Sequence, residues 1–105
     1  MNKLNVSKIY NVVYSSMITV PGVAGFANLN EIENQNDNFE EKYKNSIKIL
    51  REPDLLEIYI YIILISGVNI NDIAQEVQFR VKYELESKGI INEAFLVNVV
   101  VCDIK

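Results

Sequence analysis

Apolar residues follow several different rhythms along this chain, and each rhythm predicts an element. Val6, Ile9, Tyr10, Val13, Met17 and Val20 recur at helical spacing. Such a stripe predicts an amphipathic helix over 5–19, with Asn5 placed to cap its start and Pro21-Gly22 to end it. "GVAGFA", 22–27, is short, apolar and punctuated by two glycines. It predicts a short strand that another backbone approaches closely. Residues 28–45, "NLNEIENQNDNFEEKYKN", are polar and acidic, too poor in apolar side chains for core. They predict a long loop. Ile47, Ile49 and Arg51 then alternate with Lys48 and Leu50, a strand pattern closed by the turn former Glu52-Pro53-Asp54.

The next stretch breaks the alternation. Every residue from Ile58 to Ile65 in "EIYIYIILIS" is apolar or aromatic. It predicts a strand apolar on both faces, paired with 46–52 as an antiparallel hairpin. Gly67 breaks it. Asn69 and Asp72 start a second helix, whose stripe is Ile70, Ile73, Ala74, Val77, Val81 and Leu85. Gly89 ends that helix after Lys88. Ala94 to Ile104 predicts a last strand, with Phe95, Val97, Val99 and Val101 on one face and Leu96, Asn98, Val100 and Cys102 on the other.

The resulting order, α-β-β-β-α-β, predicts an α+β two-layer sandwich. Its mixed sheet has three to four strands and carries both helices on one face. The second helix crosses between the last two strands, which should therefore run parallel. At 105 residues the chain reads as one domain, 1–105, with a polar acidic loop at 28–45. A question of cover follows. One sheet face lies under the helices; the other carries Tyr59, Tyr61, Ile63 and Ile65, or the alternate set. An apolar face of that extent calls for a partner, most simply a second copy. The alternative is that 28–45 folds back, with Leu29, Ile32, Phe39 and Tyr43 as plugs. Phe79 and Tyr83 pose the same question. They lie four apart on the second helix, opposite its stripe, and their spacing predicts that they touch.

Composition narrows the chemistry. Half of the residues are hydrophobic, and the net charge is −4. The pI is near 4.8, which disfavours a nucleic-acid partner. The N-terminus lacks a signal-peptide pattern. No apolar run approaches the roughly 18 residues of a membrane span, so direct insertion is not expected. The chain has no histidine, which removes the commonest general base and zinc ligand. The one cysteine, Cys102, is expected to be a structural thiol in a Val-rich strand of a reduced cytosolic protein. Glu31, Glu33, Asp37, Glu40 and Glu41 could meet a divalent cation, but their spacing lacks the EF-hand order. Gly22-Val-Ala-Gly25 superficially matches the GXXG of a KH RNA-binding domain, without the flanking helix pair or basic neighbours. The expectation is a protein that is not an enzyme, with no catalytic, cofactor-binding or metal residue.

"VPGVAG" at 20–25, "GVNINDIAQEVQFRVKYELE" at 67–86 and "VNVVVCDI" at 97–104 carry a resemblance. Together they resemble the alkaline shock protein family, the cytosolic envelope-stress proteins of Gram-positive bacteria, over about 4–104. The chain departs from that pattern in lacking a strand before the first helix and in its Asn- and Glu-rich central loop. The resemblance implies a non-catalytic interaction module of the cell-envelope stress response. It implies a protein in the cytoplasm or held peripherally at the membrane through a partner, and the uncovered sheet face adds the expectation of a homo-oligomer. That partner would be a membrane-anchor protein or a lipid-metabolism enzyme. A small-ligand or lipid-sensing regulatory domain is the alternative. The interaction residues expected are Tyr59, Tyr61, Ile63, Ile65, Phe79 and Tyr83.

Overall fold

The computed structural model describes residues 5–27 and 46–105. The elements are α1 (Val6–Met17), β1 (Val23–Phe26), β2 (Ile47–Arg51), β3 (Leu56–Leu64), α2 (Ile70–Ser87) and β4 (Phe95–Ile104). The expected α-β-β-β-α-β order and α+β class hold. The loop expected at 28–45, its four plug residues and its acidic candidates lie outside the described residues.

β3 is the axis of the sheet. Its whole length pairs in parallel with β4, from Leu56↔Phe95 to Leu64↔Ile104. Its other edge is shared by two strands laid end to end. β2 pairs antiparallel with its first half, Ile47↔Ile60 through Arg51↔Leu56. β1 pairs antiparallel with its second half, Val23↔Leu64 through Phe26↔Ile62. The junction between them is bonded at Tyr61. The Ala27 N–H donates to Tyr61 O at 2.9 Å, and the Tyr61 N–H donates to Ser46 O at 2.9 Å. The buried Ser46 hydroxyl donates to Ala27 O, closing the gap.

The apolar run in β3 resolves into two faces. Leu56, Ile58, Ile60, Ile62 and Leu64 are fully buried, while Glu57, Tyr59, Tyr61 and Ile63 between them are half-buried. The buried set forms one core with Ile9, Val13 and Met17 of α1, Val77, Val81 and Leu85 of α2, and Phe95 and Val97 of β4. Both helices therefore cover the same face. Each such side chain taken out of water is worth about 1.5–3 kcal/mol, so this layer holds the fold.

Local signals set the helix ends. The Asn5 side chain accepts from the Lys8 N–H at 3.0 Å, and the Asn69 side chain accepts from the Asp72 N–H at 3.1 Å. At the end of α2, the Ile90 N–H donates to Leu85 O and the Gly89 N–H to Glu86 O. With Gly89 at φ +64°, this is a Schellman closure.

Three details differ from the sequence reading. The buried stripe of α1 is Ile9, Val12, Val13, Ser16 and Met17, and Val6 is exposed. A serine is small enough to sit inside a helix–helix contact, and hydrophobicity alone passes over it. The close backbone approach expected in 22–27 is not found at its glycines: an added Cβ at Gly22 would meet side chains, Ile73 Cδ1 at 3.0 Å and Val68 Cγ1 at 3.3 Å, and Gly25 has open space. Cys102 is exposed rather than packed. The register slips between Ile62↔Val101 and Ile63↔Asp103, and Cys102 is the extra residue of that bulge.

Candidate interaction surfaces

The sheet face away from the helices is built by alternation. From β3 it takes Glu57, Tyr59, Tyr61 and Ile63. Their register partners add Lys48 and Leu50 from β2, and Leu96, Asn98 and Val100 from β4. Ile65 follows β3 and is exposed. Leu50, Ile65, Leu96 and Val100 keep between 37% and 47% of their surface in water. The face has two tones. At one end the Tyr59 hydroxyl donates to Glu57 Oε1 at 3.0 Å, and the Asn98 amide donates to the same oxygen at 3.4 Å. The Glu57 carboxylate holds the Tyr59 phenol above its ordinary pKa of 10.0, first by accepting that hydrogen bond and then by its charge. At the other end Tyr61, Ile63, Ile65 and Val100 form an apolar patch.

The outer edge of β4 is closed to strand addition over its first residues. The Leu56 N–H donates to Ala94 O, so alternation turns the carbonyls of Phe95 and Val97 outward. Both are taken by α2. Gln78 Nε2 donates to Val97 O at 2.8 Å, and Lys82 Nζ donates to Phe95 O at 3.2 Å, lying 5.2 Å from the Phe95 ring centroid. Further along stand the Cys102 bulge and Asp103, whose carboxylate accepts the Ile104 N–H at 2.8 Å. Side-chain blocks, a bulge and a charge are the usual means of blunting an edge.

A second exposed surface lies on α2. Phe79 is 71% exposed and Tyr83 57% exposed, opposite the buried Val77, Val81 and Leu85. The expected contact between their rings does not form; the stacked pair among the described residues is Tyr14 with Phe26, centroids 5.9 Å apart. Beside Phe79 a shallow depression of about 580 Å³ is lined by Asp72, Gln75, Glu76 and Gln78.

Tyr59, Tyr61, Ile63 and Ile65 thus share one face, and Phe79 and Tyr83 share another on the opposite layer. The Glu57–Tyr59–Asn98 cluster and the contribution of Leu50 were missed. The strict alternation of β2 carried the signal for Leu50, whereas the cluster depends on the β3–β4 register. Among the described residues no group of three or more Cys, Asp or Glu side chains is placed to hold a metal ion. Gly22–Gly25 runs from a turn into β1 and is bonded to β3, which is not the setting of a GXXG loop between helices.

Comparison with known proteins bears on the family and the fold. The sequence profile of the alkaline shock protein 23 family, described as having a cell envelope-related function, matches residues 3–105. An uncharacterized protein of Streptococcus pyogenes serotype M6, Spy1614, is 33% identical over 103 residues, spanning 92% of this chain and 81% of that protein. Among solved structures, the copper form of a MamM CTD variant superposes with a TM-score of 0.54 at 13% identity, covering 94% of this chain and 98% of that one. A second MamM CTD variant gives 0.53 at 13% identity, covering 93% and 95%. At that identity the likeness speaks for the fold alone.

Proposed function

Since the chain belongs to the alkaline shock protein 23 family, whose function is cell envelope-related, we propose that it is a non-enzymatic interaction module that works by self-association through its open sheet face. One observation carries this reading. Both helices lie on one side of the sheet, and Leu50, Tyr61, Ile63, Ile65, Leu96 and Val100 stay accessible on the other. A second copy laid face to face buries both apolar patches at once. The Glu57–Tyr59–Asn98 cluster lies between Leu50 and Leu96 at one end and Tyr61 and Val100 at the other, and it enters the contact with its own hydrogen bonds already made. The blunted β4 edge directs copies to this mode and away from open-ended strand pairing.

Catalysis finds no support in the residues. A chain without histidine has lost its commonest proton carrier. The envelope role is therefore one of assembly: paired sheets inside, the α2 faces outward, with cytoplasmic copies held at the membrane by a partner protein. A link to lipid-metabolism enzymes would run through such a partner. Light scattering over a concentration series tests the core claim. A rise from monomer to dimer mass by high micromolar concentration is expected, and a strictly monomeric mass throughout overturns it.

A further inference from the structure

The outward side of α2 carries a stripe whose chemistry is distinct from that of the sheet face. At about 100° per residue, Asp72, Phe79, Tyr83 and Glu86 fall on one line opposite the buried Val77, Val81 and Leu85, with Gln75 and Glu76 beside it. With a rise of about 1.5 Å per residue the line runs about 21 Å. It reads acid, aromatic, aromatic, acid.

The cations of the helix do not offset those ends. Arg80 turns toward α1, donating to Thr19 Oγ1 at 2.9 Å and pairing with Glu76 at 3.4 Å. Lys82 is drawn onto the β4 edge at Phe95. Lys88 pairs with Glu84 at 3.3 Å. Asp72 and Glu86 keep their carboxylates free of any cation among the described residues. Of the aromatic rings between them, Phe79 is the most exposed large hydrophobic side chain described, and Tyr83 is exceeded otherwise only by Ile18.

We propose that this face docks a helical segment of a second protein, one whose apolar residues are flanked at both ends by lysine or arginine. The apolar centre of such a segment covers Phe79 and Tyr83, one of its side chains enters the depression at Gln75 and Gln78, and its end charges meet Asp72 and Glu86. Aromatic side chains in the middle of a contact carry a large share of binding energy, and surrounding charges set orientation and rate. A second copy of the same stripe does not fit. Laid antiparallel it would set Asp72 against Glu86, acid on acid. An anionic lipid surface is repelled for the same reason.

The test is selection from a displayed library of random sixteen-residue peptides panned against the intact chain. Enriched peptides should carry an apolar centre with basic flanks. They should bind the Phe79→Ser/Tyr83→Ser variant about tenfold or more weakly. Both positions are exposed, so circular dichroism of that variant should match wild type. Panning against Asp72→Lys/Glu86→Lys should shift the enriched flanks from basic to acidic. No enrichment, enrichment without basic flanks, or equal binding to the Phe79→Ser/Tyr83→Ser variant overturns the proposal. So does a set of flanks unchanged by the charge reversal. A loss of dimer in solution would bear on the sheet face and not on this result.

Discussion

Val100 lies across from Tyr61 in the β3–β4 ladder, in the apolar half of the open face, and is 37% exposed. Replacing it with lysine sets an ammonium where two copies are proposed to meet. Leu50, Ile65, Leu96 and Val100 each retain 37–47% of their surface. Since complete burial of such a side chain is worth about 1.5–3 kcal/mol, these four still have roughly 3–5 kcal/mol to gain in each copy. Tyr61 and Ile63, partly covered, add to this. Association costs about 4–15 kcal/mol before any surplus appears, so only a small surplus remains and the dimer should be a weak one. Val100→Lys removes one apolar share and buries a charge, a penalty of several kcal/mol, and symmetry applies it twice. The dimer should weaken by about a hundredfold or more. The monomer should change by no more than about 1 kcal/mol, the span of strand propensity, because the side chain is already wet. Net charge moves from −4 to −3, so general repulsion between copies falls. A weaker dimer therefore reports the face itself. Sedimentation velocity over a concentration series reads the dimer, and dilute thermal melts read the monomer. A variant that dimerises as wild type does would refute the argument.

Three further outcomes follow from particular residues. Gly22→Ala should cost about 1–2 kcal/mol in urea unfolding, because φ is +100° and the new Cβ meets Ile73 at 3.0 Å; Gly25→Ala, with open space, should be neutral or gain up to about 1 kcal/mol. Ser16 Oγ is buried and lacks a hydrogen-bond partner among the described residues, so Ser16→Ala should be neutral or stabilising by up to about 1 kcal/mol, and a clear loss would reveal a bound water. The Tyr59 phenol is raised above 10.0 by Glu57, so Glu57→Gln should lower its midpoint in an ultraviolet pH titration. Because the raised value belongs to the folded state, its contribution to stability is complete below pH 10.0 and is lost as pH climbs through the folded midpoint.

Much of this architecture was legible in the sequence because its signals are local. Asn5 and Asn69 cap where their positions suggested, and the β2–β3 hairpin follows Pro53. The unbroken apolar run in β3 correctly marked a strand. What stayed hidden depends on register or packing. The Cys102 bulge arises where β4 slips against β3, and no residue in "VVVCDI" announces it. Glu57 gains its two donors only once Tyr59 and Asn98 are brought beside it. The β4 edge is closed by Gln78 and Lys82, which a periodicity reading classes as ordinary surface residues.

The seam at Tyr61 has a practical corollary. Ala27 and Ser46 are fastened to the same residue and to each other, so the two described segments end and begin side by side at one doorway. Its ends are joined whatever lies between, and each doubling of the excursion adds only about 0.6 kcal/mol of closure entropy. That makes the doorway a natural graft port: an inserted segment would start and end at one bonded point of the framework.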